Sequence, residues 1–87
     1  MAQLSVNIDL KGKFLVYPNP TNEYFYVSFP NGIEKAEIKL YNSIGQKISE
    51  KDLNSSNLIS MENLTSGVYF YKIVSNSLIQ SGKIIKN

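Results

Sequence analysis

Carboxylates, tyrosines and two glycosylation-type tripeptides are the side chains here that could do chemistry, because the sequence has no histidine and no cysteine. That removes the commonest general base, the thiolate nucleophile and the nitrogen and sulfur ligands of zinc. Glu34 with Glu37, and Glu50 with Asp52, form the two close carboxylate pairs. Glycoside hydrolysis needs two carboxyl groups facing each other across a cleft, whereas both pairs lie in polar turn or strand surroundings that assign them to a wet surface. Asn19, Asn22 and Glu23 offer oxygens for calcium, but a calcium ion takes about six to eight. No metal and no cofactor is expected. Tyr24, Tyr26 and Tyr41 are predicted to be exposed and able to stack on sugar rings, while Tyr69 and Tyr71 belong to the core or its margin. Cross-strand aromatic packing is the simpler role for these rings. Asn54-Ser55-Ser56 and Asn63-Leu64-Thr65 match the N-glycosylation tripeptide, a pattern short enough to arise by chance. None of this assembles a catalytic centre, and the chain reads as non-enzymatic.

The elements that position these residues are short strands. A chain of 87 residues is one domain and buries only roughly 60–65% of its unfolded surface, so a deep walled pocket is not expected. Six Tyr and four Phe suit a pleated, half-buried surface. Nine basic residues, all lysine, against seven acidic ones give a charge of +2. The lysines are scattered singly from Lys11 to Lys86, and arginine, the usual bidentate reader of phosphate, is missing; a nucleic-acid partner is not indicated. No apolar run approaches the roughly 18 residues of a membrane span, and Met1-Ala2-Gln3 does not open a signal peptide.

Period-two alternation recurs between turn signals spaced as in an all-β sandwich. Strands are predicted over Leu4 to Leu10, Lys13 to Tyr17, and Tyr24 to Phe29, the last with Phe25, Val27 and Phe29 on one face. Ala36, Ile38 and Leu40 alternate with Glu37, Lys39 and Tyr41. Asn42 opens and Gly45 closes a hairpin turn into a polar edge strand, Gln46 to Asp52. Leu58 to Met61 is a short strand. Val68 to Val74, apolar on both faces except at Lys72, is predicted to be central. Leu78 to Lys86 closes the fold, with Gly82 a bulge or a point of close approach. About seven strands in this length imply an all-β fold of two packed antiparallel sheets.

Four stretches in order carry a family resemblance: "VYPNPTNEYFYV" (16–27), "AEIKLYNSIGQKI" (36–48), "ISMENLTSGVYFYKI" (59–73) and "SGKIIKN" (81–87). Together they resemble the type A C-terminal sorting domain of the bacterial type IX secretion system, over about residues 14 to 87. The resemblance places the family's opening corner on Pro18, Asn19 and Pro20, its hairpin glycine on Gly45, its leucine-turn-glycine-x-tyrosine element on Leu64, Gly67 and Tyr69, and its closing strand on Gly82, Lys83, Ile84, Ile85 and Lys86. Glu23 departs from the small residue or aspartate expected after the corner.

The resemblance implies an Ig-like antiparallel β-sandwich of about seven short strands that serves as an address label in Bacteroidota, with residues 1–13 as linker or remnant of an upstream cargo region and 14–87 as the sorting domain. The implied partners are the type IX translocon, a sortase that removes the label, and the cargo, on a route through the periplasm to the cell surface or medium. The domain itself would be a monomer or weak dimer. Gly82 to Lys86 is expected to be the recognition element, with Lys83 and Lys86 as exposed charges and the edge of the last strand open to strand addition. On that view, deleting Ile84 to Asn87 leaves the sandwich folded. A different reading of the residues is a carbohydrate-binding or adhesive sandwich using Tyr24, Tyr26 and Tyr41.

Overall fold

A computed structural model describes residues 12–54 and 57–87. The predicted strand Leu4 to Leu10 and most of the predicted linker lie outside the described residues. Seven strands follow in chain order among those described: β1 (Leu15–Tyr17), β2 (Tyr24–Ser28), β3 (Ala36–Tyr41), β4 (Lys47–Leu53), β5 (Asn57–Ser60), β6 (Gly67–Val74) and β7 (Ile79–Lys86). Each coincides with one of the alternating segments, and no helix interrupts them.

The strands form two antiparallel sheets, β1-β2-β5 and β4-β3-β6-β7. The chain crosses between sheets after β2, β4 and β5, which gives the three-plus-four layering of an immunoglobulin-like sandwich. Alternation decides which side chains meet between the layers. Phe25, Val27 and Ile59 come from the first sheet, and Ile38, Leu40, Tyr69, Tyr71, Ile73 and Ile84 from the second; all belong to one core cluster. Phe14 closes one end, its ring set edge-on to Phe29 at 5.2 Å between centroids, a favoured aromatic geometry.

β4 lies at a sheet edge, and six of its seven residues are exposed. Lysines and acids along such an edge discourage pairing with other chains. The turn into it is built by Asn42. Its Oδ1 accepts from the amides of Ile44 and Gln46 at 3.1 and 3.0 Å, and its carbonyl accepts from Gly45 N at 3.0 Å. Gly45 has φ of 89°, where a side chain would be strained.

β6 is central, as predicted, between β3 and β7. Its apolar pattern overstates its burial, however. Tyr69, Tyr71 and Ile73 face the core, while Val68, Phe70 and Lys72 are exposed on the outer face. A two-layer sandwich has no third layer to cover that side. Gly82 proves to be a point of close approach rather than a bulge. It pairs with Tyr71, and a Cβ added there would lie 2.5 Å from the Tyr71 Cζ.

Candidate functional site

The segment after the first strand and the end of the last strand, more than 60 residues apart in sequence, form one structure. Prolines 18 and 20 cannot donate to a ladder, and they hold the chain in a corner between β1 and β2. The Asn19 side chain then supplies what the prolines lack. Its Nδ2 donates to the Lys83 carbonyl at 2.8 Å and its Oδ1 accepts from Ile85 N at 3.0 Å. Thr21 continues the contact as a parallel bridge to Lys86. Its amide donates to the Ile85 carbonyl, and its carbonyl accepts from Asn87 N, both at 2.8 Å. Thr21 is only 1% exposed, and its hydroxyl donates to the Tyr24 carbonyl, so this buried polar group is satisfied. Asn87 Nδ2 donates to Asn22 Oδ1 at 3.1 Å.

This clasp corrects the expectation of an open terminal edge. The outward-facing groups of Ile85 and the Lys83 carbonyl are already hydrogen-bonded by Asn19 and Thr21. An incoming strand would have to displace the corner first.

The recognition residues predicted from the sequence do not share one environment. Gly82 is half-buried against Tyr71 and Ile84 is 0% exposed in the core, so neither offers a side chain to a partner. Ile85 is half-buried on the outer face, across from Val68. Lys83 is exposed, as expected. Lys86 is not a free charge: it is half-buried, and its Nζ donates to the Leu64 carbonyl at 2.8 Å. That bond joins the end of β7 to the leucine-turn-glycine-x-tyrosine element. Leu64 packs partly buried against the core, Gly67 opens β6 with φ of 149°, and Tyr69 Oη donates to the Thr65 carbonyl at 2.6 Å. The corner at Pro18, Asn19 and Pro20 is exposed apart from this contact face.

Thr21 and Asn87 were missed in the sequence reading. The signal available was a threonine directly after the corner, which alone does not reveal a partner so far along the chain.

The three tyrosines proposed for sugar binding do not form a site. Tyr24 and Tyr26 stand on the outer face of β2, whereas Tyr41 stands on the outer face of the other sheet, across the sandwich. Tyr26 is stacked on its cross-strand neighbour Tyr17, with centroids 5.7 Å apart, so cross-strand packing occupies that ring. The Glu62 carboxylate beside Tyr24 raises the phenol's pKa.

The carboxylates are distributed along a wet face. Glu37 pairs across strands with Asp52, and Lys39 Nζ lies 3.9 Å from Glu37. Glu50 is bonded to the Lys47 ammonium, which holds its pKa below the ordinary carboxylate value and raises that of Lys47. Among the described residues no group of three acidic side chains is close enough to hold a metal ion, and Glu34 is exposed on the loop before β3. Asn63 is exposed in the turn before β6, and the other tripeptide includes residues outside those described. No helix among the described residues is long and apolar enough to cross a membrane.

Comparison with known proteins agrees with the ordered motifs. Residues 15–87 match the family described as the secretion system C-terminal sorting domain. An ulvan lyase of Nonlabens ulvanivorans is 31% identical over 87 residues, 97% of this chain and 16% of the relative. Beta-agarase A of Zobellia galactanivorans is 36% identical over 59 residues, 67% of this chain and 11% of the relative. The chain thus spans a small part of each relative's length. With the match running from β1 through the clasp to Asn87, the chain belongs to the type IX secretion system C-terminal sorting domain family.

Proposed function

We propose that this domain is a non-catalytic export label: cargo attached ahead of it is carried across the outer membrane by the type IX translocon. A sortase then removes the label by cutting in the segment before Phe14, and the cargo reaches the cell surface or medium after passing through the periplasm. The surface read by the translocon is the clasped end of β7, a folded patch made jointly by the corner and the last strand. Lys83 is its exposed charge. Gly82, Ile84, Ile85 and Lys86 shape that patch rather than contact the receptor through their side chains. The observation that supports this reading is the pair of hydrogen bonds by which Asn19 holds Lys83 and Ile85, because it unites the first and last motifs of the family match.

Reading a folded patch needs no bond-making group. It also makes recognition depend on folding, since the patch exists only when the two ends of the domain meet. The test is export of a reporter fused ahead of the chain, comparing the native domain with Lys83→Glu. The variant is expected to keep native thermal unfolding, its side chain being exposed, and to lose most export. Full export of a folded Lys83→Glu variant would show that the patch is not what the translocon reads.

A further inference from the structure

The outer face of β6 and β7 carries aromatic and cationic side chains and no acid. Its outward positions are Val68, Phe70, Lys72 and Val74 on β6, and Ile79, Ser81, Lys83 and Ile85 on β7. Phe70 is 43% exposed although it lies on the central strand, and cross-strand it stands between Tyr41 and Lys83. Lys72 stands between Lys39 and Ser81, so neither of its direct neighbours is acidic. Like charges directly opposite each other weaken a sheet. Lys39 is relieved by Glu37 at 3.9 Å; Lys72 has no acid on its own strand or on β7. Tyr41, Phe70, Lys72, Ser81 and Lys83 line a shallow open trough of about 570 Å³.

We propose that this trough binds an acidic polysaccharide, with sugar rings lying on Phe70 and Tyr41 and their carboxylate or sulfate groups meeting Lys72 and Lys83. Three features select that occupant. Exposed Phe70 and half-buried Tyr41 border an open, shallow trough, which suits a sugar face better than a protein anchor, since anchoring side chains fill pockets. Lysine ammonium groups act as mobile point charges that follow irregularly spaced anions, whereas arginine forks would impose one geometry. The trough also runs across three adjacent strands, β3, β6 and β7, about 10 Å from the first to the third, which suits an extended chain laid across the sheet. The site meets the clasped end of β7 at Lys83 and otherwise lies apart from the corner contacts, and its binding is measured without any secretion component.

The experiment is an amide chemical-shift titration of the 87-residue chain with four hexamers: oligogalacturonate, a sulfated galactan, neutral isomaltohexaose and hexaglutamate. The expected result is saturable shifts at Tyr41, Phe70, Lys72 and Lys83 with oligogalacturonate, the sulfated galactan or both, and binding about tenfold weaker for the other two hexamers. Which acidic hexamer binds assigns the anion as carboxylate or sulfate. Lys72→Gln is expected to weaken binding about tenfold at low salt, and Phe70→Ala about fivefold. Three results would overturn the proposal: hexaglutamate binding as well as the acidic sugars, isomaltohexaose binding as well as them, or shifts that are absent or centred on Tyr17 and Tyr26.

Discussion

Asn19 replaces strand hydrogen bonds with side-chain ones. The prolines on either side have no amide hydrogen, yet β7 needs partners for its outward groups, and one amide side chain provides both a donor and an acceptor. Asn19→Ala leaves Ile85 N and the Lys83 carbonyl without these bonds, and is expected to cost about 1–2 kcal/mol in urea unfolding. Glu34→Ala, on an exposed loop, should stay within about 0.5 kcal/mol. Gly82 is constrained from the opposite side. Gly82→Ala would drive a methyl group into the Tyr71 ring, at an expected cost of about 1–3 kcal/mol, and less when Tyr71 is also changed to Ala, because the two sites share the contact. Glu50 gives a pH-dependent prediction. Lys47 lowers its pKa in the folded chain, so the pair's contribution is present above the ordinary carboxylate pKa and disappears as pH falls through the lowered value. Exposure keeps that contribution small. A carbon-detected titration of Glu50 should show its midpoint rise toward the ordinary value in Lys47→Gln.

Local order made most strands legible. β2 and β3 alternate strictly, so Phe25, Val27, Ile38 and Leu40 could be assigned to the core from spacing alone. The β3–β4 turn was legible for the same reason, since every hydrogen bond that defines it lies between Asn42 and Gln46. Asn42→Ala should therefore lower stability by about 1 kcal/mol and raise amide exchange chiefly at Ile44 and Gln46. The clasp was not legible, because its bonds join residues more than 60 apart and no local pattern encodes such a pairing. The exposure of Phe70 was not legible for a related reason: a sequence shows that a side chain is apolar, whereas the number of layers in the fold decides whether anything covers it.

At the scale of the molecule, the last strand serves both the core and the surface proposed for recognition. Ile84 is fully buried among residues of both sheets, while Lys83 beside it is exposed. The two functions alternate along one strand. Deleting residues 84–87 therefore removes a core side chain, three of the clasp's partners and the Lys86–Leu64 bond together. Ile84→Ala alone is expected to cost about 2–5 kcal/mol, against a total stability of about 5–15 kcal/mol for a domain. The truncated chain should lose its cooperative thermal transition, and its failure to export a cargo would then report unfolding rather than lost recognition. This reverses the expectation, drawn from sequence, that the sandwich survives truncation. Single exposed substitutions separate the two roles where truncation cannot.

The most direct test of the central claim is translocon-dependent export. A reporter carrying an inner-membrane signal sequence, with this domain fused behind it, would be expressed in a type IX-competent bacterium and in the same strain lacking the translocon. The reporter is predicted to reach the surface or medium in the first strain and to accumulate in the periplasm in the second, or in the first when the domain is omitted. Equal release from both strains, or release without the domain, would contradict the claim.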